Sequence, residues 1–193
     1  MQNKERMQQF VIDMLKSELP ANYCYHNIEH SLFVQENALQ IGLHERCTEK
    51  DMELLTTAAL WHDTGYIKTY EGHEEESCSL AGKYLPGYGF STNDINTICG
   101  MIMATKVPQL PGSKLEEIIA DADLSYLGTD VAAAKATDLF IELQSLDPSL
   151  TRAAWNKKQV SFLESHHYFT PYCKEKREPL KQAYLAQLRA AAG

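Results

Sequence analysis

The apolar residues of this chain recur at helical spacing from one end of the sequence to the other, and this periodicity restricts the fold most. The alternation of apolar and polar residues that marks a half-buried strand is nearly absent. A first helix is predicted to end before Pro20, and others are predicted at about 28–41, 49–63, 73–85, 91–104, 113–121, 129–146, 149–166 and 173–191. The pattern therefore predicts an all-α bundle of eight or more helices.

No segment of the sequence has the composition of a linker between two domains. The stretches that contain proline and glycine, 85–89 and 107–112, are only as long as a turn or a short loop. No internal repeat of about 20–50 residues is visible. We expect one domain over residues 1–193, with its core motifs in about 20–130 and the C-terminal helices of 130–193 packed on them.

The charge and the composition exclude several classes of function. Eighteen basic and 26 acidic residues give a formal charge of −8, which disfavours a long nucleic acid but permits a small phosphate beside a cation. No apolar run approaches the roughly 18 residues of a membrane span, and residues 1–16 lack the apolar core of a signal peptide. We therefore expect a cytoplasmic protein without membrane contact, whose five scattered cysteines are reduced.

Histidines and an aspartate interrupt apolar helical faces in the first third of the chain. His26 and His30 are four residues apart, so a helix would place both on one face, which continues as apolar residues. His62 and Asp63 end a largely apolar helix, where an uncompensated buried aspartate would be costly. These side chains therefore need partners inside the protein.

Two further acids, Asp121 and Asp123, interrupt the apolar segment 118–124. They either belong to a polar face or a helix cap, or they complete a set of two imidazoles and two carboxylates. Such a mixed nitrogen and oxygen set suits a divalent cation with open positions for water and substrate. A structural zinc site would use cysteine instead. We therefore predict Mn, Fe, Co, Ni or Mg in preference to structural Zn.

The order of these residues, His30, then His62-Asp63, then Asp123, resembles the H…HD…D signature of the HD-domain metal-dependent phosphohydrolases. The segment 25–31 is similar to the YHNxxH motif of cyclic-nucleotide phosphodiesterases. Five further segments are similar to a subgroup described as predicted HD phosphohydrolases: 60–66, 73–77, 104–105, 121–128 and 155–163. The resemblance covers roughly residues 20–185 and implies an all-α HD domain.

The resemblance also implies roles for individual residues. The implied metal ligands are His30, His62, Asp63 and Asp123. Asp123 is preferred to Asp121 because the family's ligand follows an alanine and precedes an apolar residue. The implied catalytic residues are His26, as proton donor to the leaving oxygen, Asp63 and Glu74, and the candidate substrate-binding residues are His73, Thr105 and Lys106. Some relatives place a second-metal ligand or a water-orienting acid where His73 and Glu74 stand.

The leading hypothesis is a metal-dependent phosphohydrolase that cleaves a phosphoester of a nucleotide or another small phosphorylated metabolite. The metal would lower the pKa of a bound water, which attacks phosphorus while His26 protonates the leaving group. One alternative is a di-iron oxygenase on the same fold, which needs further histidines for a second metal. Another is a non-catalytic nucleotide sensor, which would be expected to have lost ligands. A homodimer is left open.

Overall fold

The computed structural model of the protein describes residues 2–192, which form ten α-helices and three 3₁₀ turns. The helices are α1 (Gln2–Glu18), α2 (Ile28–His44), α3 (Glu49–Trp61), α4 (His73–Tyr84), α5 (Thr92–Ala104), α6 (Lys114–Asp123), α7 (Ala132–Leu146), α8 (Arg152–Ser165), α9 (Pro171–Lys176) and α10 (Glu178–Ala192). The 3₁₀ turns are Thr64–Ile67, Leu85–Tyr88 and Ser125–Gly128. The described residues contain no strand, which confirms the all-α prediction. None of these helices is long and apolar enough to cross a bilayer.

Local capping signals determine where the central helices begin. Thr48 and Ser91 each form a capping box with the aspartate three residues later, at the start of α3 and α5. Asn27 caps α2, because its side-chain oxygen accepts a hydrogen bond from the backbone N–H of His30 at 3.0 Å. This cap places His30 in the first turn of α2, so the sequence around Asn27 positions one of the predicted ligands.

The predicted helix 49–63 ends earlier, at Trp61, because hydrogen bonds tie the next turn to α4. The hydroxyl of Ser77 donates to the carbonyl of His62 at 2.6 Å and accepts from the N–H of Gly65 at 2.8 Å. A Cβ on Gly65 would overlap the backbone carbonyl at the start of α4, so only glycine permits this approach. The chain therefore turns directly after the HD pair.

The buried apolar residues form two clusters. The first lies among α1 to α6, and the second is formed mainly by α7, α8 and α10. The boundary between them falls at the start of α2 and the end of α6. Tyr25 and Leu124 belong to the second cluster, whereas Ile28 and Ala122 belong to the first. The predicted site residues on these two segments therefore lie where the clusters meet.

Candidate functional site

Four side chains predicted as metal ligands meet at this boundary. His30 Nε2 lies 3.1 Å from Asp123 Oδ1, and His62 Nε2 lies 3.2 Å from Asp63 Oδ2. Ligand atoms of His30, His62 and Asp123 all lie within 4.8 Å of one another. Asp63 stands beside this trio, with Oδ2 3.6 Å from His30 Nε2. The structure thus brings together residues from α2, from the turn after α3 and from the end of α6.

The ring of His62 has the orientation that a metal ligand needs. Its Nδ1 donates a hydrogen bond to the carbonyl of Ala59 at 2.8 Å, so the neutral ring carries its lone pair on Nε2. That Nε2 and Oδ2 of Asp63 are both buried, and neither makes a hydrogen bond. Two buried polar atoms that approach to 3.2 Å without hydrogen-bond geometry fit ligands that share one cation.

The charges of the four residues depend on one another because their side chains are largely buried. Burial raises the pKa of Asp123, but the hydrogen bond from His30 and the positive charge of His62 outweigh it and lower that pKa to about 2. Burial also raises the pKa of Asp63, but the adjacent His62 outweighs burial and lowers that pKa well below its ordinary value. Burial lowers the pKa of His62, but Asp63 and Asp123 raise it well above its ordinary value. Both acids therefore stay ionised, and a cation would compete with the proton on His62.

Asp121, the other acid of this segment, has a different environment. Its carboxylate accepts hydrogen bonds from the backbone N–H of Phe169 and of Thr170, both at 2.8 Å, and from the Thr170 hydroxyl at 2.6 Å. Burial raises the pKa of Asp121 even though these bonds oppose it. The Asp121 carboxylate thus connects α6 to the segment before α9, whereas Asp123 lies with the histidines.

His26 lines the same site, and its ring is held by Glu142 of α7. One oxygen of Glu142 accepts hydrogen bonds from the backbone N–H of Tyr25 at 2.8 Å and of His26 at 3.0 Å. The other oxygen accepts from Nδ1 of His26. Burial raises the pKa of Glu142, but the contact with His26 outweighs it and lowers that pKa. Because Nδ1 is engaged, Nε2 is the ring nitrogen left to face a ligand.

The sequence analysis missed Glu142, although the sequence carries a signal for it. Glu142 is 0% exposed and follows Leu139 by three residues and precedes Leu146 by four. A carboxylate within such an apolar stripe is the same anomaly that identified Asp63. The partner of Glu142 is 116 residues away in the sequence, so its role could not be read locally.

The turn after α3 places an aromatic ring between two histidines. Tyr66 stacks on His73 with ring centroids 3.8 Å apart and on His26 with centroids 4.3 Å apart. His73 Nε2 lies 3.5 Å from Asp63 Oδ1, and the neighbouring Glu74 is buried. The structure therefore brings His26, His73 and Glu74 next to the predicted metal ligands.

Thr105 and Lys106, the remaining candidates, lie in different places. Thr105 is buried beside the other site residues, but its hydroxyl donates to the carbonyl of Ile102 at 2.7 Å. Lys106 is exposed and pairs with Glu75 at 2.5 Å. Lys106 does not line the cavity that the other candidates border. The structure thus brings Thr105 to the site and leaves Lys106 on the surface.

These residues border a cavity of about 440 Å³, within the usual range of small-molecule sites. Carboxylates and imidazoles form one part of its lining. The remainder is bordered by side chains that are mainly apolar or aromatic, among them Leu124, Leu127, Leu139, Trp155, Phe162 and Leu163. Such a cavity suits a small molecule that has a charged reacting group and a larger apolar or aromatic part.

Solved structures and a family model are similar to this chain. A predicted HD superfamily hydrolase from an uncultured Thermotogales bacterium is 21% identical, with a TM-score of 0.61 over 96% of this chain and 92% of that one. Bacillus subtilis YpgQ, in complex with ADP, is 19% identical, with a TM-score of 0.68 over 98% of this chain and 95% of that one. These likenesses concern the fold, and no curated protein matches. The family model of the HD domain matches residues 27–125, more than half of the sequence, and the chain therefore belongs to the HD domain family.

Proposed function

We propose that the protein is a metal-dependent phosphohydrolase that cleaves a phosphoester of a nucleotide or another small phosphorylated metabolite. The observation that carries this proposal is the position of His26, held by a buried carboxylate, in the same cavity as Asp63 and Asp123, two of the predicted metal ligands. The structure of Bacillus subtilis YpgQ contains ADP, so nucleotides are the first substrates to test.

The candidate ligands would hold one divalent cation between two imidazoles and two carboxylates. This donor set suits Mn, Fe, Co, Ni or Mg. When bound, such a cation polarises a phosphoryl oxygen and lowers the pKa of a coordinated water. His73 lies 3.5 Å from Asp63 and Glu74 borders the same cavity, so both side chains would be available to orient a phosphate oxygen or the attacking water.

His26 is the proposed proton donor to the leaving oxygen. Glu142 fixes the orientation of the ring through Nδ1, and Tyr66 stacks against its face. Both contacts leave Nε2 free to hold the proton that the leaving oxygen takes. Because a general acid must be within hydrogen-bond reach of that oxygen, a ring fixed from two sides is better positioned than a mobile one.

The geometry favours hydrolysis over the alternatives. A di-iron oxygenase needs a second set of ligands. Within residues 2–192, one group has three ligand atoms that all lie within 4.8 Å of one another, and it consists of His30, His62 and Asp123. A sensor would not require the pair of His26 and Glu142.

Phosphate release by metal-loaded protein from a panel of nucleotides and sugar phosphates tests the proposal, with Asp63→Ala as the control. His26→Gln should lower kcat by about 10²–10⁴ while the protein keeps its metal. The loss should shrink for an aryl phosphate, whose leaving group needs little protonation. If His26→Gln instead removes the metal, His26 is a ligand and its role as the acid is refuted.

Glu142 is a positioning residue in this proposal, because it acts through His26. Glu142→Gln should therefore lower kcat with little change in KM. The double variant His26→Gln/Glu142→Gln should be no slower than His26→Gln alone, since both changes disable one unit. A double variant slowed by the product of the two single effects would show that Glu142 acts independently.

A further inference from the structure

Two half-buried cysteines face each other where α4 packs against α5. The Sγ atom of Cys78 lies 3.5 Å from the carbonyl oxygen of Cys99, and the Sγ atom of Cys99 lies 3.8 Å from the carbonyl oxygen of Cys78. Each sulfur therefore reaches the backbone of the other residue, so the two side chains share one space between the helices. Neither residue borders the cavity, and the proposed function does not use them.

This arrangement suits a disulfide bond. A disulfide requires Cα atoms about 4.4–6.8 Å apart, and two cysteines whose side chains point apart cannot be joined without movement of the backbone. A sulfur in contact with the partner's carbonyl oxygen lies within a few ångströms of the partner's Cα, because two bonds separate that oxygen from the Cα. Rotation about the Cα–Cβ bonds can therefore bring the two sulfurs together while α4 and α5 stay packed.

The thiol of Cys99 differs chemically from a half-buried thiol elsewhere in the protein. The Cys78 thiol donates a hydrogen bond to the Cys99 sulfur and lowers the pKa of Cys99 to about 7, although burial opposes this effect. Burial instead raises the pKa of Cys24, whose thiol contacts the carbonyl of Asp138. Because the thiolate is the form that reacts with oxidants, Cys99 should react faster than Cys24.

We propose that Cys78 and Cys99 form a redox-active pair, which a hydroperoxide oxidises to a disulfide that links α4 to α5. The Cys99 thiolate attacks an oxygen of the hydroperoxide, the O–O bond breaks, and the leaving oxygen takes up a proton. The Cys78 sulfur then attacks the sulfur of the resulting sulfenic acid, and the departing hydroxide takes the Cys78 proton. In total the two thiols lose two electrons and two protons, and hydrogen peroxide is reduced to two molecules of water.

The position of the pair connects its redox state to the helix that borders the candidate site. Ser77, next to Cys78 in the sequence, donates a hydrogen bond to the carbonyl of His62, and Glu74, one helical turn earlier, borders the cavity. The disulfide ties this helix to α5, whose end precedes Thr105 of the same cavity. Disulfides in reducing compartments are usually transient and redox-sensing, so we expect a reversible bond.

Oxidation of the wild-type protein tests the pair directly. The reduced, chelator-treated protein is exposed to hydrogen peroxide, the remaining thiols are alkylated under denaturing conditions, and unreduced peptides are identified by mass spectrometry. We expect the peptide of Cys78 joined to that of Cys99, a single chain on a non-reducing gel, and recovery of both thiols with dithiothreitol. These two thiols should disappear about tenfold or more faster than the thiol of Cys24.

Serine variants test the role of each sulfur. Cys78→Ser and Cys99→Ser should each abolish the disulfide. In Cys78→Ser, dimedone should trap the Cys99 sulfenic acid, since the serine hydroxyl can still donate to the thiolate but cannot resolve the acid. Cys24→Ser is the matched control, because Cys24 is also half-buried, and it should form the disulfide at the wild-type rate.

Three outcomes would overturn the inference. The first is that Cys78 and Cys99 remain thiols while Cys24 is oxidised. The second is a disulfide that joins either residue to a different cysteine of the chain. The third is a bond between Cys78 of one molecule and Cys99 of another, which a non-reducing gel detects as a dimer.

Discussion

The two acids at the end of α6 should respond to amide substitution in opposite ways. Asp121 accepts three hydrogen bonds from Phe169 and Thr170, and its side chain is fully buried. In Asp121→Asn the remaining oxygen keeps the two bonds to Thr170, while the new N–H₂ faces the N–H of Phe169. Asp123 has no such role, because its contacts are the imidazoles of His30 and His62.

The cost of Asp121→Asn follows from these bonds. One buried donor without a partner costs about 1–3 kcal/mol, and each bond that loses its charged acceptor weakens by about 1 kcal/mol. Removal of a buried charge, whose pKa burial raises, offsets part of this loss. We expect the free energy of unfolding to fall by about 2–3 kcal/mol in Asp121→Asn. Asp123→Asn loses the attraction to the imidazoles but also relieves the repulsion between Asp123 and Asp63, so it should change this free energy by no more than about 1 kcal/mol in chelator-treated protein.

Urea denaturation of chelator-treated protein and elemental analysis of protein purified with metal measure the two effects separately. Asp121→Asn should unfold at lower urea concentration and retain the wild-type metal content. Asp123→Asn should unfold near the wild-type concentration and lose most of its metal. Loss of metal in Asp121→Asn with unchanged unfolding would mean that the roles of the two acids are reversed, and the reasoning would be wrong.

Two other predictions concern stability. Gly65→Ala should lower the free energy of unfolding by about 3 kcal/mol, because the added Cβ would overlap the backbone of α4. Gly82 lies in the exposed part of that helix, where a Cβ meets nothing, so Gly82→Ala should raise this free energy by about 0.5–1 kcal/mol. Equal urea midpoints for the two variants would refute the close approach at Gly65. Burial and the nearby Lys181 lower the pKa of His166 to about 4. The unfolded chain therefore takes up this proton first, and stability should fall by up to about 3 kcal/mol as pH decreases from 6.5 to 4. His166→Asn should remove that pH dependence, exposed His167→Asn should not, and an unchanged slope in His166→Asn would contradict the assignment.

The helices could be predicted because their signals are local. Asn27, Thr48 and Ser91 cap helices within a few residues of the predicted starts, and each cap needs only the next three residues. The predicted helix 173–191 is instead two helices that meet at Arg177. There the turn Ser125–Gly128 packs against the Arg177 backbone, a contact between distant segments that helical periodicity does not report.

The residues of the candidate site also differ in whether the sequence signal that identifies them is local. His30, His62 and Asp63 could be proposed because each interrupts an apolar face close to its own helix end. The choice of Asp123 over Asp121 came from the resemblance to a family, since both acids have similar neighbours in the sequence. The contact of His26 with Glu142 joins segments more than a hundred residues apart, and only the packing of α7 against the segment before α2 brings them together. The extent of the single domain over 1–193 stays a prediction.

Glu142 lies outside the matched residues 27–125, as do His26, Trp155 and Gln159, whereas all four candidate cation ligands lie inside them. In the proposed function, the matched segment therefore supplies the cation ligands together with His73 and Glu74, and the flanking segments supply His26, its partner Glu142 and much of the apolar lining. We expect mutations in α7, α8 and α10 to change which molecule the cavity accepts without removing any candidate cation ligand. Two descendants of one ancestor can therefore share the whole H…HD…D signature and act on different compounds, so substrate assignments should be transferred between relatives by the residues of these helices.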